Sequence, residues 1–211
     1  LTFNVSQFEN VIGSGFADTI TGNAANNALA GGAGNDTISG GAGNDTINGE
    51  AGTDTASYLD ATAAVSVSLS SGSSSGGAGS DTLISIENVI GSSFADTITG
   101  GADANSLSGE DGNDSISAGS GNDTITGGAG KDLLSGEAGA DKFIYAALTD
   151  SLLASFDLIT DYTTGEVIDR PGTGLTLNSS SGTATGLSAT AVASILNTFS
   201  FTANKIGRAH V

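Results

Sequence analysis

A single apolar side chain recurs at every ninth position over most of the chain. Its neighbours on both sides are mostly threonine or serine. An apolar residue between strand-favouring polar residues predicts a short strand with one side chain facing inward. The recurring residues are Ile20, Leu29, Ile38, Ile47, Ile98, Leu107, Ile116, Ile125, Leu134 and Phe143.

Glycines separate these strands at fixed places in the same nine-residue period. They occupy positions 1, 2 and 4 of most units, where positive φ allows a tight turn. One series of units begins at Gly13, Gly22, Gly31, Gly40 and Gly49, a second at Gly91, Gly100, Gly109, Ala118, Gly127 and Gly136, and one further unit at Gly76. Residues 8–22 also recur, with small changes, as residues 86–100. The pattern predicts a solenoid in which stacked turns bury apolar side chains that a single nine-residue unit could not bury alone.

Position 6 of the unit carries an aspartate just before the strand. The carboxylates are Asp18, Asp36, Asp45, Asp54, Asp96, Asp114, Asp123, Asp132 and Asp141. Stacked coils lie about 4.8 Å apart, and two charges at that distance repel by about 3.5 kcal/mol at an effective dielectric constant of 20. Carboxylates and turn carbonyls are hard oxygen donors, of which calcium takes six to eight. The stacking therefore predicts a calcium-stabilised structure.

Composition narrows the possible functions. The chain has 211 residues, 23 of them acidic against five Lys and Arg, with a net charge of −18. This charge opposes binding to nucleic acid or to anionic membranes. The chain has no cysteine and one histidine, which excludes a disulfide framework and a thiol nucleophile and leaves little for acid–base catalysis. No apolar stretch is long enough for a membrane span, and no signal peptide is visible.

The nonapeptides resemble the RTX (hemolysin-type) calcium-binding repeats of bacterial type I-secreted proteins. The units Gly31–Ser39 and Gly40–Asn48 carry the consensus Gly-Gly-x-Gly-x-Asp-x-apolar-x in full. The resemblance covers roughly residues 8–57 and 76–145. It implies an all-β parallel β-roll, a calcium-stacked solenoid with two arrays in tandem and a short β insertion. A disordered Gly/Asp-rich linker is the alternative, which the regular apolar residue opposes.

The resemblance also implies where calcium binds, between loops 18 residues apart on one side of the roll. The earlier loop gives the carbonyls of positions 2 and 4 and its aspartate, and the later loop gives the carbonyls of positions 1 and 3 and its aspartate. Three slots match this pattern well. They are Asp36 with Asp54 and the carbonyls of Gly32, Gly34, Gly49 and Ala51; Asp114 with Asp132 and those of Glu110, Gly112, Gly127 and Ala129; and Asp123 with Asp141 and those of Gly119, Gly121, Gly136 and Ala138.

Four further slots depart from the pattern. An asparagine replaces the earlier aspartate in two of them, and phenylalanine replaces the glycine at position 4 in the other two. They are Asn27 with Asp45 (Gly40 and Ala42), Asn105 with Asp123, Asp18 with Asp36 (Gly31 and Ala33) and Asp96 with Asp114 (Gly109 and Asp111). We expect Phe16 and Phe94 to cap the apolar interior. We expect the side chains of the position-2 residues Glu50, Glu110 and Glu137 to be solvated charges rather than ligands.

The period breaks outside the two arrays. We expect a first array over 1–57, an insertion over 58–75, a second array over 76–145, a truncated C-terminal region over 146–204 and a sequencing-adapter translation over 205–211. Val65, Val67 and Leu69 alternate with serine, an exposed-strand pattern, and the Ser/Gly run 70–79 predicts a flexible loop. Residues 157–169 resemble the segment that follows a final RTX coil, and residues 187–199 could form an amphipathic helix.

The resemblance implies a secreted module that folds on binding calcium outside the cell, as part of a larger exoprotein with an upstream domain. No side-chain arrangement predicts catalysis within this chain. Two alternatives remain, the C-terminal part of an RTX protease, lipase or epimerase, and an adhesin or ice-binding segment. The second is suggested by outward threonines that would form rows, namely Thr19, Thr37, Thr46, Thr55, Thr97 and Thr124.

Overall fold

The computed structural model describes residues 2–4, 10–145, 157–163 and 165–169. These residues form nineteen short strands in two sheets. No helix occurs in the described ranges, so none there is long and apolar enough to cross a membrane. The predicted helix at 187–199 and the predicted adapter segment lie outside the described residues.

The first sheet contains nine strands and every pairing in it is parallel. Its strands follow one another in chain order from one end of the sheet to the other. In that order they are β1 (Thr2–Asn4), β3 (Thr19–Thr21), β5 (Thr37–Ser39), β7 (Thr55–Ser57), β11 (Asn88–Ile90), β13 (Ser106–Gly112), β15 (Thr124–Gly130), β17 (Lys142–Ile144) and β19 (Val167–Asp169).

The second sheet contains ten strands and faces the first. In spatial order they are β2 (Asn10–Ile12), β4 (Ala28–Ala33), β6 (Thr46–Ala51), β10 (Thr82–Ile84), β9 (Ser73–Gly76), β8 (Val65–Ser68), β12 (Thr97–Thr99), β14 (Ser115–Ser117), β16 (Leu133–Ser135) and β18 (Leu158–Ile159). The chain alternates between the sheets, so two nonapeptides make one coil. The predicted all-β parallel β-roll is confirmed.

The ninth-residue apolar side chains form the core between the sheets. Register stacks them directly, as in Ile20 on Ile38 and Ile116 on Leu134. Each of these side chains is at most 1 % exposed, because every strand presents its middle residue to the interior and the flanking polar residues to the outside. The roll therefore has one apolar column per sheet, which in the second sheet is interrupted at the buried Ser74 of β9.

The insertion is part of the second sheet. β7 pairs directly with β11 in the first sheet, so that sheet continues across the break in the sequence. In the second sheet, β10 pairs parallel with β6, β8 pairs parallel with β12, and β9 joins β8 and β10 in antiparallel fashion. We call β8–β9–β10 the meander. It adds two strands to the second sheet and none to the first.

Three expectations about this region and the loops are wrong. Residues 73–76, within the predicted flexible loop, form β9, because their main chain completes the hydrogen bonds between β8 and β10. Val65 and Val67 belong to the core, at 3 % and 1 % exposure, rather than to an exposed strand. Phe16 and Phe94 do not cap the interior, since they are 79 % and 42 % exposed.

The outward threonines form only a short row. Thr2, Thr19, Thr37 and Thr55 are adjacent on the first sheet, but Asn88 and Ser106 follow them in the same row. This threonine row is thus interrupted after four residues.

Candidate metal centre

Two columns of acidic or amide side chains run along the edges of the roll. Each member directly precedes a strand, because position 6 is the last residue of the loop. The first-sheet column is Asp18, Asp36, Asp54, Glu87, Asn105, Asp123, Asp141 and Glu166, and the second-sheet column is Asn27, Asp45, Asp81, Asp96, Asp114, Asp132 and Asp157. Most are at least nine-tenths buried.

In every column aspartate except Asp18, one carboxylate oxygen accepts a main-chain N–H from the preceding coil. The Asp36 main-chain N–H donates to Asp54 Oδ1 at 2.8 Å, and the Asp114 N–H donates to Asp132 Oδ1 at 2.9 Å. The same bond joins the members of all seven predicted slots, the other five being Asp18 to Asp36, Asn27 to Asp45, Asp96 to Asp114, Asn105 to Asp123 and Asp123 to Asp141. The fold therefore brings every predicted pair together.

The other carboxylate oxygen has no hydrogen-bond partner in six of these aspartates. The six are Asp36, Asp45, Asp54, Asp114, Asp123 and Asp141, and each Oδ2 is buried. Burying a carboxylate oxygen with no partner is unfavourable, because the water it loses is not replaced. A cation at these oxygens would remove the penalty.

Glycine at position 1 keeps the space beside these oxygens open. A Cβ on Gly31 would lie 2.2 Å from Asp36 Oδ2, and one on Gly109 would lie 2.2 Å from Asp114 Oδ2. Asp123 is the exception, since its loop begins with Ala118. In the other loops any larger residue would fill the space in front of the carboxylate.

Position 2 divides the loops into two classes. In seven loops it has positive φ, between 62° and 103°, at Gly32, Gly41, Glu50, Glu110, Gly119, Gly128 and Glu137. We call these the open loops. In the four loops 13–18, 22–27, 91–96 and 100–105, and in loop 76–81, position 2 does not have positive φ. We call the first four the closed loops, and they are the first two loops of the series of units that begin at Gly13 and at Gly91. Loop 76–81 belongs to neither class, because it has a glycine, Gly79, at position 4 like the open loops.

In each closed loop, a main-chain N–H of the loop donates to the side-chain oxygen at position 6 of the same loop. The Ser14 N–H donates to Asp18 Oδ2 and the Ser92 N–H donates to Asp96 Oδ2, both at 2.6 Å. The N–H groups of Asn23 and Gly101 do the same for Asn27 and Asn105, at 2.8 and 2.7 Å. These loops supply the earlier member of the four irregular slots.

Burial also raises the pKa values of several open-loop carboxyls. It raises the pKa of Asp114 to about 7 and those of Asp45 and Asp123 to about 6, against the opposing effect of an N–H bond from the preceding coil. It raises the pKa values of Asp54 and Asp141 as well. The columns hold carboxylates whose charge is not compensated.

Among the described residues, no group of three or more His, Cys, Asp or Glu side chains is placed to hold a metal. Each coil brings only two carboxylates together on one edge. A metal in a slot must therefore take most of its ligands from main-chain carbonyls, as the slots above assume. This donor set fits calcium, which accepts many oxygen ligands in flexible geometry.

Four column members were missed in the sequence, namely Glu166, which precedes β19, and three that accept an N–H from the preceding coil. Asp81 accepts the Asp45 N–H at 3.0 Å, Glu87 accepts the Asp54 N–H at 2.8 Å, and Asp157 accepts the Asp132 N–H at 2.9 Å. These pairs are 36, 33 and 25 residues apart, so the 18-residue rule could not find them. The nonapeptide at Gly76 and the repeated segment containing Glu87 were the available signals.

The family comparison agrees with this geometry. The RTX calcium-binding nonapeptide repeat (4 copies) matches residues 7–38, 21–56, 90–125, 108–143 and 117–152. These stretches include more than half of the chain, which belongs to the RTX repeat family. The repeats of this family bind calcium, and calcium ions are the expected partners of the roll. No curated protein matches the chain.

Proposed function

We propose that the chain is the calcium-dependent folding module of a secreted protein, and that calcium binds in the open loops. The unpartnered, buried Oδ2 atoms of six column aspartates carry this proposal. Without a cation the roll buries these oxygens at a cost, and with calcium each oxygen gains a ligand bond. Calcium therefore stabilises the roll much more than the unfolded chain, which lacks the slots.

The open loops support calcium binding at the three well-matched slots. Asp36 with Asp54, Asp114 with Asp132 and Asp123 with Asp141 each join two open loops. The four irregular slots each include a closed loop, whose position-6 oxygen already has a hydrogen bond. We expect the closed loops to begin each array and to contribute little to calcium binding.

The proposed secretion rests on the same dependence of folding on calcium. Extracellular calcium modules work at about 10⁻⁴–10⁻³ M calcium, and a module in that range stays unfolded where calcium is scarce. The chain would cross an export system unfolded and fold outside the cell. Type I secretion, typical of RTX proteins, provides such a route.

Circular dichroism of the full chain tests the proposal. With a chelator the spectrum should be that of a coil, and millimolar calcium should produce a strand signal. Magnesium at the same concentration should produce much less, because it requires a strict octahedral geometry and retains its water. A strand spectrum that the chelator leaves unchanged would contradict calcium-dependent folding.

A further inference from the structure

The repeat between β10 and β11 is three residues shorter than a nonapeptide. Their inward residues, Leu83 and Val89, are six residues apart in the sequence, so Ser85, Ile86 and Glu87 stand in place of the six residues at positions 1 to 6. Ser85 has a φ of 49°, an unusual value for a residue with a side chain. Glu87 directly precedes β11, as a position-6 residue precedes β3, β5, β7, β13, β15 and β17.

Both ends of this short loop have the contacts of a repeat loop. The Asp54 N–H donates to Glu87 Oε2 at 2.8 Å, the bond that the next column aspartate accepts elsewhere. The Ser85 carbonyl lies 2.2 Å from the point that a Cβ on Gly49 would occupy, and the Gly31 carbonyl has the same relation to Gly13 at 2.1 Å. Ser85 thus replaces position 1 and Glu87 replaces position 6.

An unpartnered carboxylate oxygen borders the same space. Asp54 is fully buried and its Oδ2 has no hydrogen-bond partner. This Oδ2 lies 2.4 Å from the same Gly49 Cβ point as the Ser85 carbonyl. The Ser85 carbonyl oxygen and Asp54 Oδ2 therefore face one gap. The second carboxylate, that of Glu87, accepts the Asp54 N–H beside this gap. This donor set is typical of a hard divalent cation.

We propose that a calcium ion binds at this junction, held by the Asp54 and Glu87 carboxylates and the Ser85 carbonyl, and links the two arrays. The inference rests on the proposed function. Asp54 lies near the end of the family match over residues 21–56, whereas Ser85 and Glu87 lie between it and the next match, which begins at residue 90. It contains a glutamate in a three-residue loop instead of an aspartate in a six-residue loop.

The second-sheet column has no equivalent site at the junction. Asp81 accepts the Asp45 N–H, but its Oδ2 accepts the Ser74 hydroxyl at 2.8 Å. The three atoms nearest a Cβ on Gly40 all belong to Asp45 and lie within 3.0 Å, so no carbonyl of the next coil is as close to that point as the Ser85 carbonyl is to the Gly49 point. The array link is therefore assigned to the first-sheet column.

Glu87→Gln tests the proposal in the full chain, with Glu50→Gln as the matched control. Glutamine keeps an oxygen for the Asp54 N–H and removes only the charge. Glu50 lies in the loop of Asp54, but its side chain is exposed. Bound calcium is counted by native mass spectrometry, and hydrogen exchange gives the calcium midpoint of each array separately.

We expect Glu87→Gln to bind one calcium ion fewer than the wild type and Glu50→Gln, and the midpoints of the two arrays to separate. Equal ion counts and equal midpoints in the two variants would overturn the junction site alone. If Glu87→Gln does not fold, Glu87→Asp decides, because it keeps the charge on a shorter chain and should bind the same number of ions at higher calcium. An unchanged midpoint for that variant would also overturn the site, whereas a wild-type chain that binds no calcium would overturn the proposed function with it.

Discussion

Glycine at position 4 separates the open loops from the closed loops. All seven open loops have it, and the closed loops have Phe16, Ala25, Phe94 and Asp103 instead. In several open loops this residue lies against the position-4 carbonyl of the preceding coil: a Cβ on Gly130 would lie 1.4 Å from the Gly112 carbonyl oxygen. A side chain at position 4 is therefore compatible only with a loop that does not stack this closely.

Gly130→Ala tests this contact. We expect it to cost several kcal/mol, because the clash is with main chain and the φ of 153° also disfavours a side chain. The calcium midpoint for folding of the second array, measured by circular dichroism and hydrogen exchange, should rise steeply. Gly15→Ala is the control, since no atom lies within 4 Å of its Cβ. Equal effects of the two substitutions would contradict stacking as the reason for glycine.

Asp114 and Asp96 lie in one column but in different loop classes. Asp114 has an unpartnered Oδ2, whereas Asp96 Oδ2 accepts the Ser92 N–H and Asp96 Oδ1 accepts the Ser92 hydroxyl. The closed loops at Asn27 and Asn105 already contain the amide that an Asp96→Asn substitution introduces.

We therefore expect Asp114→Asn to raise the calcium midpoint about tenfold, equivalent to about 1.4 kcal/mol, and Asp96→Asn to change it little. Calcium titrations followed by circular dichroism give both values, with the exposed Asp60→Asn as a surface control. A larger shift for Asp96→Asn would be evidence against the division into open and closed loops.

At the scale of the elements, the meander is an addition to a roll that is already continuous. β7 and β11 are neighbours without it. The 18 residues 58–75 begin at the end of one nonapeptide and end before Gly76, which begins another. Their removal restores the nine-residue period and places loop 76–81 directly after β7. β10 could then pair with both β6 and β12, since it runs parallel to both.

Deletion of residues 58–75 should therefore leave a chain that folds with calcium and binds as many ions as the wild type. Its free energy of unfolding should fall by about 3 kcal/mol, because the deletion removes Tyr58, which is 3 % exposed. Deletion of residues 31–48 is the matched control of equal length and phase, and it should lose the ions that depend on Asp36 and Asp45. If the 58–75 deletion cannot fold at any calcium concentration, the meander is a required part of the roll.

The periodic elements were predictable from the sequence, and the meander was not. Ile20 and Ile38 stack because each strand has only one apolar residue, so only that side chain can fill the interior. Residues 70–79 gave no apolar signal, and only pairing on both sides makes a strand of Ser73–Gly76. Glu87 escaped prediction for the same reason, since a three-residue loop has no period. The strand at Ser73–Gly76 and the position of Glu87 both depend on pairing with strands that are distant in the sequence.

At the scale of the whole molecule, both sheets are hydrogen-bonded across the junction between the arrays, but in different ways. The first sheet continues by direct parallel pairing of β7 with β11, whereas the second passes through β10, β9 and β8 and reverses direction twice. In a solenoid, stability is transmitted through contacts between neighbouring coils. The β7–β11 pairing and the contact between Asp54 and Glu87 are therefore a direct route by which one array stabilises the other.

The spacing of the columns also gives the metal-free roll the electrostatics of a polyelectrolyte. Across residues 109–141 each coil carries Asp114 and Asp123 or Asp132 and Asp141, about one charge per 2.4 Å of axis at a coil spacing of about 4.8 Å. Duplex DNA carries about one per 1.7 Å and holds a condensed layer of counterions. Sodium or potassium ions would gather along the roll in the same way, and calcium must displace them to enter. The affinity of the roll for calcium is thus set by the surrounding salt as well as by its loops.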